Sequence, residues 1–279
     1  MRRLRLLLAL LLVAAALAAC RQPSPAPPAQ NGDNPLGLFS WDTDPGALIV
    51  RLDSYTPAAS PAETLNHVPP CTVWGDGRVV WTSPAELIGH DVLEARIDEA
   101  ALRGFIESII GRGFYTWEDE PLVSLDQTPI LQSITVSLYG DVRTVRRATS
   151  WPQNSFERLL DECRRLSPTP VLVMPSAGWV SAYPVTLDPS RPSWPWPRNA
   201  PFALSELAES GQARWLEGEL AAEIWQSARE TNGATQVEER GASYTVAIVV
   251  PGYSREGPVA TSDETSGAPS DATPDAAPD

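Results

Sequence analysis

Three turn signals set between apolar, β-branched runs constrain this chain more than any other feature. They are Asp76-Gly77 within Thr72–Thr82, Gly140-Asp141 within Leu131–Arg146, and Arg240-Gly241 within Gln236–Val250. Residue pairs that tolerate positive φ between such runs are the strongest short-range signal for a hairpin. Helical stripes lie between the hairpins. Leu102, Phe105, Ile106, Ile109 and Ile110 recur at helical spacing, with Asp98 as the cap, Ile97 and Leu102 as a hydrophobic staple, and Gly111 or Gly113 as the stop. Phe156, Leu159, Leu160, Cys163 and Leu166 share one face over Gln153–Leu166, which Ser167–Pro170 ends. Hairpins with helices set apart from them predict an α+β fold rather than a wound parallel sheet. The expectation is antiparallel hairpins or sheet with two to four segregated helices, as one domain or as two small α+β subdomains.

A first strand is expected over Gly46–Tyr55, and a short apolar strand over Val171–Met174. Trp179–Pro201 carries Trp179, Tyr183, Trp194 and Trp196 among prolines, and reads as an ordered extended loop wrapped on a sheet. Ala203–Glu209 reads as a short helix. Trp215, Leu216, Leu220, Ile224 and Ala228 fit a longer one, with Gly218 as an alternative start. The body thus divides into an N-terminal half, 38–166, and a C-terminal half, 171–254. Residues 20–37 are rich in proline and read as an extended tether, and 255–279, acidic and without aromatic residues, are expected to be disordered.

The first nineteen residues read as an export leader. Arg2, Arg3 and Arg5 precede an unbroken apolar run from Leu6 to Leu17. As a helix that run spans about 18 Å, short of a bilayer core of about 30 Å. Leu17-Ala18-Ala19-Cys20 then closes the segment, and this pattern resembles the lipobox of bacterial lipoprotein signal peptides. The resemblance implies cleavage before Cys20, acylation of its thiol, and partnership with the membrane through an N-terminal lipid anchor on the extracytoplasmic face. Two or three acyl chains hold a protein on a membrane far more firmly than one. The succession of Gly75-Asp76-Gly77, an amphipathic helix and a second hairpin also resembles envelope lipoproteins of GC-rich bacteria. That likeness carries no catalytic residue across.

With Cys20 acylated, Cys71 and Cys163 remain. In an oxidising compartment they predict one disulfide, closing a loop of about ninety residues and contributing about 4–5 kcal/mol. Two buried thiols are the alternative, since Cys163 sits on an apolar face. The net charge of −14 excludes a nucleic-acid binder that works through a basic face. All 21 basic residues are arginine, so lysine chemistry is impossible.

Catalytic patterns are sparse. The chain lacks G-x-S-x-G, H-E-x-x-H, P-loop and G-x-G-x-x-G motifs, and no metal site or cofactor is expected. His67 and His90 read as surface histidines. Glu118, Asp119 and Glu120 read as a solvated acidic loop that could otherwise serve glycosidase or calcium chemistry, and Trp41–Gly46 as a turn. The 10 tryptophans read mainly as core. Trp194 and Trp196, two apart in an extended segment, are the candidate ligand-binding pair. The expected function is a non-catalytic binding module for an envelope peptide, protein or glycan. An envelope hydrolase with an unrecognised carboxylate or serine site, or a protease-inhibitor-like module, are the alternatives.

Overall fold

A computed structural model describes residues 39–83, 91–121, 130–231 and 235–255. Every element below belongs to Trp41–Asp279. The leader, Cys20, the tether, His90 and the tail beyond Arg255 lie outside the described residues. The fold is α+β, with two sheets and, among the described residues, five α-helices: α1 (Pro61–Asn66), α2 (Glu99–Gly111), α3 (Ser155–Arg164), α4 (Leu204–Ser210) and α5 (Glu219–Glu230).

The first sheet is antiparallel and built largely from consecutive hairpins. It contains β1 (Leu48–Tyr55), β2 (Cys71–Trp74), β3 (Arg78–Thr82), β4 (Val92–Arg96), β5 (Leu131–Leu138), β6 (Asp141–Arg147) and β7 (Val171–Leu172), in the order β6-β5-β1-β2-β3-β4-β7. Gly77 turns the β2–β3 hairpin at φ 80°, and a Cβ there would lie 2.3 Å from the Ile97 carbonyl oxygen. Only glycine fits. The β5–β6 turn uses Tyr139-Gly140, both at positive φ, one residue earlier than the expected pair.

Register places Val50 and Leu52 opposite Val73 and Cys71 on one side, and opposite Val136 and Ile134 on the other. These six side chains are fully buried on one face. The period of two in a strand puts Asp53 and Tyr55 on the opposite face. Helix α3 lies across β2 and β3 with α2 beside it, and Cys163 of α3 is bonded to Cys71 of β2, with Cα atoms 6.5 Å apart. The cysteine pair is therefore a disulfide. Asp98 caps α2 by accepting the Ala101 amide at 2.8 Å, and Leu102, Phe105, Ile106 and Ile109 form its buried stripe.

The second sheet contains β8 (Ala177–Val185), β9 (Ser193–Pro195), β10 (Arg214–Glu217), β11 (Gln236–Glu239) and β12 (Ala242–Val249), in the order β10-β8-β12-β11-β9. Only β9 and β11 run parallel. Val180, Val246 and Ile248 of this sheet share one core with Val80 and Val92 of the first, and Leu207 of α4 and Trp225 of α5 join it.

Ala177–Val185 is a long strand inside the sheet, not part of a wrapped loop. Gly178, Val180 and Ala182 point into the core in strict alternation with the half-buried Trp179, Ser181 and Tyr183. Pro184 is tolerated because β10 pairs only with Ala177–Val180, so no ladder bond is lost on that side. Trp215 and Leu216 belong to β10 rather than to the helix. They alternate out and in, and Gly218 at φ 87° separates the strand from α5.

Helix α1 covers the outer side of the second sheet, packing Ala62 and Leu65 on Ala247 and Val249. Ser60 and Glu63 close its start as a capping box. Its last residue, Asn66, is buried against β12 and lines the cleft described next.

Candidate functional site

Among the described residues, a cleft of about 670 Å³ is walled by the ends of β1 and β5 and by α1, α3 and α5. Its apolar wall includes Ile130, Phe156 and Leu160, and its polar groups include His67, Arg164, Arg229 and Arg255. Ligand sites of small molecules commonly have this size and this mixture of apolar wall and a few convergent polar groups.

Asp53 lies beneath the cleft, with only 3% of its side chain exposed. β1 delivers it there because Asp53 points away from the face that packs on α3. His67 Nε2 donates to Asp53 Oδ1 at 2.6 Å, and Arg255 Nε holds Oδ2 at the same distance. With Nε2 occupied, the acceptor of a neutral His67 ring is Nδ1. The Arg255 amide donates to the His67 carbonyl at 2.9 Å, and its guanidinium lies 3.7 Å from the centroid of the Tyr55 ring. The C-terminal segment after β12 is thereby bound to α1 and β1 at the rim of the cleft.

Arg229 approaches from the end of α5. It donates through Nη2 to the Asn66 carbonyl, and its guanidinium lies 4.7 Å from the centroid of the Trp225 ring. Burial lowers its pKa to about 10. Among the described residues no carboxylate forms an ion pair with it. Burial also pushes the Arg164 pKa below its ordinary value, against the opposing effect of Asp161, which lies 3.7 Å away.

The residues singled out in the sequence fall elsewhere. Trp196 is 6% exposed and donates its indole N–H to the Phe202 carbonyl at 3.0 Å. Trp194 is half-buried with its ring centroid 6.0 Å from that of Trp196, and it packs against the same core. The parallel β9–β11 pairing turns the two rings onto the core, so they build no exposed platform. His67 is not a simple surface histidine but part of the Asp53–Arg255 cluster. Sequence spacing carries no signal for that cluster, because its members stand 14 and 188 positions apart and meet only through the two-sheet packing.

The acidic loop is structural. Asp119 accepts the Arg146 amide at 2.7 Å. Glu120 accepts the Ala148 and Thr149 amides at 2.9 and 3.0 Å and the Thr149 hydroxyl at 3.0 Å. Burial pushes the Glu120 pKa upward, and these hydrogen bonds overcome that effect to bring it below its usual value. Asp42 and Asp44 accept the amides two residues ahead and make the expected turn. Among the described residues no three His, Cys, Asp or Glu side chains converge as a metal site requires, and no helix is long and apolar enough to cross a membrane.

Comparison with protein-family models, curated proteins and solved structures finds no match.

Proposed function

We propose that this chain is an envelope lipoprotein, anchored through acylated Cys20, whose folded body binds an envelope peptide, protein or glycan in the cleft beside α1. The observation that carries the reading is the cleft itself: about 670 Å³, with arginines and a histidine converging on an apolar wall. The export leader and the Cys71–Cys163 disulfide both accord with an oxidising compartment. The tether supplies reach from the membrane to a ligand.

The test is made in cells. A photo-crosslinking residue at Ile130, on the exposed wall of the cleft, is expected to give a discrete adduct, and one at Val142 on β6 none. Alkyne-palmitate is expected to label the wild type and not Cys20→Ala. Absence of a cleft-specific adduct overturns the binding role, and labelling that survives in Cys20→Ala overturns the anchor.

One observation favours a second reading, a hydrolase. His67 lines the cleft with Asp53 bonded to its Nε2, and a histidine oriented by a carboxylate is suited to proton transfer. Turnover of p-nitrophenyl acetate that is lost in His67→Gln would support it.

A further inference from the structure

Among the described residues the cleft-wall cation Arg229 has no carboxylate partner, in a chain that is otherwise acidic. The chain carries 35 acids against 21 bases, yet among the described residues this guanidinium makes a hydrogen bond to the Asn66 carbonyl and lies over the Trp225 ring, and its buried Nε has no hydrogen-bond partner. Those two contacts compensate part of a desolvated charge. A guanidinium offers five N–H donors in a planar fork, and a buried cation is stabilised most by a paired anion. The neighbouring cation Arg255 is already held by Asp53. Arg164, from α3, faces the same cavity. Of the carboxylates in the lining, Glu63 is occupied in the capping box with the Ser60 amide, at 2.8 Å.

We propose that the ligand of this cleft carries a single carboxylate, which docks on the free donors of Arg229 with Arg164 contributing a second positive charge, while its apolar body lies on Leu160 and Ile130. This inference rests on the binding reading above and names the chemistry of its ligand. A monoanion fits better than a phosphate dianion, because Glu63 and Glu157 also line the cleft and repel each added negative charge. The fork of Arg229 recognises the planar carboxylate, and the apolar wall excludes water from the contact and strengthens it.

The experiment uses the full chain in detergent and follows three probes by ligand-observed NMR: N-acetylphenylalanine, its primary amide, and inorganic phosphate. The acid is expected to bind at least tenfold more tightly than the amide, and phosphate more weakly than the acid. Arg229→Gln is expected to remove at least tenfold of the affinity for the acid, and Arg164→Gln about threefold. If Arg229→Gln fails to fold by circular dichroism, the acid–amide comparison and Arg164→Gln decide. Equal binding of acid and amide overturns the carboxylate assignment and leaves the binding module standing. Tighter binding of phosphate, or no binding of any probe, also overturns it, whereas the module itself is judged separately by the Ile130 crosslink.

Discussion

Asn66 takes the place of a strand beside Ile248. Its Oδ1 accepts the Ile248 amide at 2.8 Å, and its Nδ2 donates to the Val246 carbonyl at 3.0 Å. β11 pairs with β12 only as far as Thr245, so these two backbone groups would otherwise be buried without partners. The same residue offers its own carbonyl to Arg229, and so the sheet, α1 and the cleft meet at one side chain. Asn66→Ala leaves a buried donor and a buried acceptor unsatisfied. It is expected to lower stability by about 2–4 kcal/mol, read as a shift in the urea midpoint at unchanged slope.

Trp196 is a core residue, and its substitution is expected to behave accordingly. Trp196→Ala removes a large buried ring and frees the Phe202 carbonyl, at a cost of about 3–5 kcal/mol. A variant that unfolds at the wild-type denaturant concentration would refute the core assignment.

The Cys71–Cys163 bond closes a segment of 92 residues. Reduction is expected to cost about 4–5 kcal/mol in the loop-entropy account. Urea unfolding with and without dithiothreitol measures it, and a variant with both cysteines changed to alanine should be insensitive to the reductant.

Asp53→Asn removes the negative charge that holds Arg255 and leaves that cation partly buried. The expected destabilisation is on the order of 3 kcal/mol. The double variant with Arg255→Gln should recover part of the loss, because no uncompensated cation then remains. A double variant no more stable than Asp53→Asn alone contradicts this pairing.

The pH dependence is clearest at Tyr253. Its hydroxyl donates to Glu94 Oε2 at 2.7 Å, and burial, followed by that acceptor's hydrogen bond and charge, raises its pKa to about 12. Between the ordinary value of 10.0 and about 12, the folded chain keeps a proton that the unfolded chain loses. The stabilisation is therefore fully present below pH 10 and is lost as pH rises through that window. Titration of phenolate absorbance should show one tyrosine ionising near 12, absent in Tyr253→Phe.

Local chemistry determined much of this architecture before any packing was known. The turns at Gly77, Gly140 and Gly241 follow from backbone freedom, the α2 boundaries from the Asp98 cap and apolar stripe, and the cysteine pairing from the expectation of an oxidising compartment and an even count. Those are short-range or compositional rules, and they read directly from the chain. Tertiary structure alone decided that Ala177–Val185 runs between two partner strands, since Pro184 and the prolines that follow it signal a loop unless one knows that β10 stops short of Pro184. It alone turned Trp194 and Trp196 onto the core and joined Asp53, His67 and Arg255, residues whose sequence distances carry no message. A buried charge finds its partner through the packing of whole sheets, and that energy is non-local.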